Sequence, residues 1–365
     1  MPELWPPWSA PKWIVAGAVG AGGAGIGLAL EAAAALRRRS APAGDAPVLP
    51  STVGHRLLPM DDGGVLHLLE QGSGPALVLL HGFTLTSRVW AIQFSQLSGT
   101  HRVVAPDLRG HGRSRAGSGG IGLDRMADDV SVLLEALDLR DAVLVGHSMG
   151  GMVALSVAGK DVEQRRGRVG SLLLLGTSAG PLVKRMGWAL PVLRALRGAH
   201  APVGAAEVGG RPGGVAGRSG SRRRDDRRFP LSVPFTDAAW AVARIGFGRD
   251  PAPELVRMTW SMTAATSPRT VVDQMADLVA FDRARVVQSI SLPTTVLVGS
   301  HDRVLPPWHS EKLARLMPAA ELVTVPGRGH MLMLEDPASI SSALEALAAR
   351  AHRLSAPTGP EPSGG

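Results

Sequence analysis

Residues 142–155 read AVLVGHSMGGMVAL. The first four of them are apolar and predict a strand that is buried on both faces of a sheet. Residues 149–158 then predict a helix, and the glycines that flank Ser148 permit the crowded turn between the two elements. We therefore expect a strand, a sharp turn and a helix, with the Ser148 hydroxyl projecting above the edge of the sheet.

The chain on either side of this turn alternates short apolar runs with helical patterns. Strands are predicted at residues 53–59, 65–70, 76–80, 103–105, 142–145, 171–175, 294–298 and 321–325. Helices are predicted at residues 87–97, 123–137, 149–158, 310–316 and 337–351. The first two strands flank a turn of aspartates and glycines and predict an antiparallel hairpin. The whole pattern predicts an α/β fold, in which a mostly parallel sheet of eight strands carries helices on both faces.

One interval breaks the alternation and divides the chain into parts. We expect residues 51–180 and 291–352 to form the α/β core, with residues 181–290 inserted as a helical cap. Residues 204–228 within the cap are rich in glycine and arginine and predict a mobile loop. Residues 353–365 are rich in proline, glycine and serine and predict a disordered tail.

The first 50 residues differ from the rest and predict an apolar segment followed by a linker. Residues 13–30 carry no charge, but six of them are glycine, which adds little apolar surface. Three interpretations stay open: a membrane anchor, a disordered or loosely helical tail, and a cleaved signal peptide. If the segment spans a membrane, the arginines at 37–39 favour a cytoplasmic location for the domain after them. We expect a cytoplasmic protein, free or tethered through residues 13–30.

Composition excludes several classes of chemistry. The chain of 365 residues has no cysteine, which excludes disulfides, a thiol nucleophile and cysteine-ligated metals. The formal net charge of +8 owes much to basic runs such as residues 221–228, which hold no aromatic side chains. Such runs are typical of solvated linkers, so we expect no nucleic-acid partner, and nothing in the sequence calls for a cofactor or a metal.

The pattern G-x-S-x-G occurs twice, at residues 146–150 and 176–180. Ser178 also follows a predicted strand, but Pro181 and a polar stretch come next, instead of a helix that could cover the sheet. We therefore predict Ser148 as a nucleophile and Ser178 as a turn residue where the chain leaves the sheet.

A serine nucleophile needs a base and a third group that orients the base. Asp302 follows the strand predicted at 294–298, and His330 lies in a glycine-rich loop after the strand predicted at 321–325. Catalytic groups of an open α/β sheet collect at the carboxyl ends of its strands. No carboxylate follows the strand at 171–175, so the sequence predicts Asp302 as the acid that orients His330.

The loop after the third predicted strand reads His81-Gly82-Phe83-Thr84. Its position next to the Ser148 turn predicts that the backbone N–H groups of Phe83 and Met149 form an oxyanion hole. His81 has a residue type that catalysis uses, but beside Gly82 we expect it to brace the loop.

Five motifs in order resemble the α/β-hydrolase superfamily: HGFT, PDLRGHGRS, VGHSMGGM, VGSHDRVLP and GRGHMLMLEDP. The resemblance runs from about Val53 to Ala351, apart from the middle of the cap. It implies a nucleophile at Ser148, an acid at Asp302 and a base at His330. It also implies oxyanion donors at Phe83 and Met149, and structural roles for Asp107, Arg109 and His111.

The expected activity is hydrolysis of a carboxylic ester of a lipophilic small molecule through a serine acyl-enzyme. The same triad serves C–C bond hydrolases, cofactor-free perhydrolases and acyltransferases, which stay open as alternatives. Epoxide hydrolases and haloalkane dehalogenases are disfavoured, because they need an aspartate where this chain has Ser148. An alternative from another class is a non-catalytic, membrane-tethered binding protein. The sequence leaves the oligomeric state open.

Overall fold

The computed structural model describes residues 45–164, 167–180, 182, 240 and 243–355. The segment at 13–30, the loop at 204–228 and the tail beyond Ser355 lie outside the described residues, as do the hypotheses that rest on them. No helix in the described part of the chain is long and apolar enough to cross a membrane.

Eight strands form one sheet in the order β1-β2-β4-β3-β5-β6-β7-β8. They are β1 (Gly54–Pro59), β2 (Val65–Gln71), β3 (Ala76–Leu80), β4 (Arg102–Pro106), β5 (Ala142–His147), β6 (Val169–Leu175), β7 (Thr294–Gly299) and β8 (Ala320–Val325). The β1–β2 and β2–β4 pairs are antiparallel, and the other five are parallel. The predicted eight-stranded, mostly parallel sheet is confirmed.

A 3₁₀ turn, Val286–Ser289, precedes β7, and eight α-helices have both ends within the described residues. They are α1 (Ala91–Leu97), α2 (Leu123–Ala136), α3 (Met149–Glu163), α4 (Pro253–Ala265), α5 (Pro268–Ala280), α6 (Trp308–Leu316), α7 (Leu332–Glu335) and α8 (Pro337–Ser355). The helix predicted at 87–97 begins instead as a 3₁₀ turn, Ser87–Trp90, and α7 has no counterpart among the helices predicted for the core. Both are single turns, too short to show a helical period in the sequence.

The sheet is buried on both faces, as its apolar runs predict. Alternate side chains of β3 belong to two separate clusters of buried residues, Leu77 and Leu79 to one and Val78 and Leu80 to the other. Helices α2 and α3 contribute to the second of these clusters, whereas α1, α7 and α8 contribute to the first. Because helices cover both faces, the free ends of the parallel strands are the place where a site can open to solvent.

The helical cap lies between β6 and β7, and its described part includes α4 and α5. Both helices begin with proline at the first or second position, and Ser267 caps α5 by accepting a hydrogen bond from the Thr270 N–H. Where the insertion leaves and rejoins the core, the Arg283 N–H donates to the Ala179 carbonyl at 2.8 Å. The two ends of the insertion are therefore held side by side near the carboxyl end of β6.

Candidate active site

The turn between β5 and α3 holds Ser148 in a strained backbone conformation, with φ 53° and ψ −116°. Glycine is required on both sides of it. A Cβ on Gly150 would lie 2.2 Å from the Leu80 carbonyl oxygen, and one on Gly146 would lie 2.6 Å from the Gly151 Cα. Strain of this kind costs about 1–3 kcal/mol and persists only where the surroundings enforce it. The turn places Ser148 directly after the last residue of β5, at the carboxyl end of that strand.

Asp302 and His330, which follow β7 and β8, are brought into direct contact. Asp302 Oδ2 lies 2.7 Å from His330 Nδ1, and both residues are buried. The other carboxylate oxygen, Oδ1, accepts hydrogen bonds from the backbone N–H groups of Val304 and Leu305 at 2.9 and 2.8 Å. The carboxylate therefore has a fixed orientation, with one oxygen available to hold a proton on His330 Nδ1.

The same pair lies beside the Ser148 turn. The neighbouring residue, His147, donates from Nε2 to the His330 carbonyl at 3.0 Å, and the two imidazole rings are 4.7 Å apart. A Cβ on Gly176, at the end of β6, would lie 3.0 Å from Asp302 Oδ2 and 3.1 Å from His330 Nδ1. No hydrogen bond joins the Ser148 hydroxyl to His330 in this structure, and such contacts often form only when substrate binds.

The loop after β3 passes directly over Ser148, because a Cβ on Gly82 would lie 3.3 Å from the Ser148 Cβ. His81 braces this loop: its Nδ1 bonds the Gly82 carbonyl and its Nε2 accepts from the Leu108 N–H, each at 2.8 Å. Phe83 and Met149 follow the ends of the adjacent parallel strands β3 and β5. The predicted oxyanion donors thus lie on the two backbone segments that meet at Ser148.

Cap helix α4 is attached to the same loop at Thr84, which has a positive φ of 59°. The Thr84 hydroxyl lies 3.2 Å from that of Thr263, and the Thr84 N–H donates to His111 Nε2 at 3.2 Å. A left-handed conformation is uncommon for threonine, and these contacts hold it. The cap therefore contacts the loop that contains Phe83.

Three buried histidines, His147 in the turn and His81 and His111 beside the loop after β3, stay neutral at physiological pH. Burial lowers the pKa of His81 and His147, and it lowers the pKa of His111 to about 3. For His147, the nearby His330 lowers the pKa further. A neutral His111 can accept the hydrogen bond from Thr84, as the geometry requires.

Asp107 and Arg109 are structural, as the resemblance implies. Asp107 accepts hydrogen bonds from the N–H and hydroxyl of Ser87, from the Arg113 N–H and from His67. Burial alone would raise the pKa of Asp107, but the hydrogen bonds to its carboxylate hold it well below its usual range. Arg109 is buried and pairs with Asp62 and Asp129, at 2.7 and 2.6 Å.

Ser178 has a different environment from Ser148. Its side chain is buried, with the residue 1% exposed. Its hydroxyl accepts a hydrogen bond from the Gly180 N–H at 3.0 Å and lies 3.2 Å from His309 Nδ1. The residue forms part of the turn where the chain leaves β6.

Glu335 lies close to the site and is absent from the residues predicted for it. Its carboxylate oxygens accept hydrogen bonds from the Gly248 N–H at 2.7 Å and the Gly329 N–H at 3.0 Å. Its only signal in the sequence is its place in GRGHMLMLEDP, five residues after His330. In the described ranges, no three histidine, aspartate or glutamate side chains are placed to hold a metal ion.

Known proteins resemble this chain in both sequence and structure. The sequence profile described as "Alpha/beta hydrolase family" matches residues 77–343. An uncharacterised protein of Mycobacterium tuberculosis is 30% identical over 287 residues, which cover 75% of each chain. A non-heme chloroperoxidase of Burkholderia pyrrocinia is 30% identical over 266 residues, covering 70% of this chain and 85% of the relative. Among solved structures, a thermophilic esterase from Thermogutta terrifontis superposes with a TM-score of 0.63 at 26% identity, covering 83% of this chain and 100% of the esterase.

Proposed function

The chain belongs to the alpha/beta hydrolase family, and from that premise we propose that it hydrolyses a carboxylic ester of a lipophilic small molecule through an acyl-enzyme on Ser148. One observation carries the proposal: the buried Asp302–His330 pair, 2.7 Å apart, lies beside the strained turn that presents Ser148. The similarity to the Thermogutta terrifontis esterase supports ester chemistry.

In the first half-reaction, His330 Nε2 accepts the proton of the Ser148 hydroxyl while Oγ attacks the ester carbonyl carbon. The negative charge that develops on the carbonyl oxygen is bound by the backbone N–H groups of Phe83 and Met149. The tetrahedral intermediate then expels the alcohol, which takes the proton from His330. The product of this step is an ester between Ser148 and the acyl group.

In the second half-reaction, His330 takes a proton from water, and the hydroxide that forms attacks the acyl-enzyme. Collapse of the second tetrahedral intermediate releases the carboxylic acid and returns the proton to Ser148. Asp302 holds the His330 proton on Nδ1 and stabilises the imidazolium that forms twice in the cycle. Its two backbone hydrogen bonds keep that orientation through both steps.

The residue types next to the nucleophile favour an uncharged, apolar acyl group. Phe83 and Met149, whose N–H groups bind the oxyanion, have apolar side chains, and Leu85 is buried two residues farther along the loop. Helix α4 adds the buried residues Met258 and Met262 to the apolar cluster that contains Leu85. A charged acyl chain would lose its hydration without gaining a partner from these side chains.

Covalent labelling by a fluorophosphonate tests the nucleophile directly. The reagent should modify Ser148, as located by peptide mass mapping, and Ser148→Ala should abolish labelling and lower kcat by roughly 10³-fold or more. Ser178→Ala is the matched control and should keep both labelling and most of the activity. A label on Ser178 would refute the assignment, and a folded wild-type protein that takes no label would favour a binding protein instead.

A second candidate, a cofactor-free perhydrolase, is favoured by the similarity to the non-heme chloroperoxidase. In that reaction hydrogen peroxide replaces water in the second half-reaction, so the acyl-enzyme yields a peracid and free Ser148. The test is to supply an ester with excess peroxide and to measure peracid by its oxidation of bromide. A rate of peracid formation no higher than that of the Ser148→Ala variant would exclude this candidate.

A further inference from the structure

Glu335 joins two segments that lie far apart in the sequence. Its Oε1 accepts a hydrogen bond from the N–H of Gly329, the residue before His330, and its Oε2 accepts one from the N–H of Gly248. Gly248 belongs to the cap insertion. The Glu335 carboxylate thus bridges the loop that carries the catalytic base and a piece of the cap.

The cap piece, residues 243–249, is here called the strap. The Gly246 carbonyl in the strap accepts hydrogen bonds from the N–H groups of His330 and Met331, at 2.8 and 3.0 Å. The Arg249 N–H donates to the Gly327 carbonyl at 3.1 Å. Phe247, at the centre of the strap, is fully buried in the apolar cluster on that side of the sheet. The strap is therefore fixed to the core and bonded to the base loop on both sides of Gly329.

Backbone packs against backbone at this junction, with no room for side chains. A Cβ on Gly248 would lie 2.2 Å from the Gly327 carbonyl oxygen, and one on Gly329 would lie 2.3 Å from the Phe247 carbonyl carbon. A Cβ on Gly299, at the end of β7, would lie 2.3 Å from the Gly329 carbonyl oxygen. Asp302 follows Gly299 by three residues, so the strap, the base loop and the acid loop form three layers in direct contact.

We infer that Glu335 is a positioning residue that fixes the base loop against the strap, so that the cap insertion helps to set the geometry of His330 toward Ser148. The two N–H groups that Glu335 binds would otherwise be buried without partners, which is costly, and the loop would move to find others. His330 must stay within about 0.5 Å of its productive position for proton transfer. The inference rests on the proposed function, because it assigns a role in the steps that His330 performs.

The substitution Glu335→Gln tests this role with the least change of shape. A glutamine side chain offers one acceptor oxygen and one NH₂ group, so either Gly248 or Gly329 loses its hydrogen bond. We expect kcat for an ester to fall about tenfold, as for one lost hydrogen bond, with KM changed less than twofold. The rate of fluorophosphonate labelling at Ser148 should fall in parallel. Glu345→Gln, on the exposed face of α8, is the matched control and should change neither rate.

A second variant, Phe247→Leu, loosens the anchor of the strap without touching Glu335 and should also lower kcat at constant KM. If Glu335→Gln and Phe247→Leu lower only the thermal midpoint and leave kcat of the folded protein unchanged, the role is merely structural and the inference is wrong. If Glu335→Gln does not fold, Phe247→Leu alone decides between these outcomes. Failure of the proposed function is a different result: the wild-type protein would then take no label.

Discussion

The two G-x-S-x-G turns of this protein share a sequence pattern and differ in almost everything else. Ser148 has φ 53° and stands at the start of α3, whereas Ser178 is 1% exposed and bonded to Gly180 and His309. Ser148 is followed at once by α3, whereas Ser178 is followed by Ala179, whose carbonyl accepts a hydrogen bond from the Arg283 N–H. Helix α3 begins directly after Ser148 and packs on the sheet, and the chain passes from strand to helix through a strained turn. At the second turn the positive φ values fall on Gly176 and Gly180, and the Ser178 hydroxyl accepts a hydrogen bond from the Gly180 N–H.

The second turn nevertheless supports the first. The hydroxyl of Thr177, next to Ser178, donates to the Ser148 carbonyl at 2.7 Å. A Cβ on Gly151, in the first turn of α3, would lie 2.6 Å from the Thr177 Cβ. The two turns at the ends of β5 and β6 are thus one packed unit, in which we expect one serine to react and the other to stabilise.

Replacing Asp302, the proposed acid, should have the largest effect on activity, and the absence of an effect would contradict the contrast between the two turns. We predict that Asp302→Asn lowers kcat by roughly 10²- to 10⁴-fold, because His330 loses its tautomer and the stabilisation of its imidazolium. The thermal midpoint should change little, since the asparagine oxygen can still accept from Val304 and Leu305. Kinetics of the purified variant measure this, with Asp282→Asn, an exposed aspartate, as the control. Near-normal turnover would mean that another carboxylate holds His330.

The contact between the two turns should give the next largest effect, on stability. Gly151→Ala places a methyl group against Thr177, which is fully buried, and should cost about 3 kcal/mol of unfolding free energy, at the upper end for overpacking. Gly99→Ala, where an added Cβ meets open space, should be close to neutral. The double variant Gly151→Ala with Thr177→Gly, which removes the Thr177 Cβ from the contact, should recover part of the loss in urea denaturation. If it were as unstable as the sum of its parts, the two turns would be independent.

The smallest effect concerns the imidazole beside Ser148. Because burial keeps the pKa of His147 well below 6.5 in the folded protein, only the unfolded chain takes up this proton as the pH falls below 6.5. Protonation of His147 therefore does not affect stability above pH 6.5. Below that pH it lowers the unfolding free energy by about 1.4 kcal/mol per pH unit. In His147→Gln, the drop in unfolding free energy from pH 7.5 to pH 5.5 should be smaller by roughly this amount. An unchanged drop would contradict the prediction.

The sheet could be predicted from the sequence because burial is reflected in residue type. Central strands such as β3 and β5 are apolar on both faces, and Asp302 and His330 stand where strands end, so their order alone suggested that they meet. Glu335 could not be found in this way. Its partners are the backbone N–H groups of Gly248 and Gly329. Nearly every residue type has a backbone N–H group, so the sequence does not show which of them accept a side-chain partner. The close contacts at the strap do require glycine at positions 248, 299 and 329, but a glycine in the sequence does not say which distant segment packs against it.

The two ends of the cap insertion lie side by side, and this affects which changes of sequence the protein can accept. Its two ends meet through the hydrogen bond between Arg283 and Ala179. The insertion is therefore a loop whose two ends are held together by the core. Lengthening such a loop costs little chain entropy, about 0.6 kcal/mol for each doubling of its length. Insertions or exchanges between these ends can therefore alter the cap over generations of sequence change while the sheet keeps its stability. Residues 243–249 limit this freedom, since any replacement has to supply a backbone that His330 can bond.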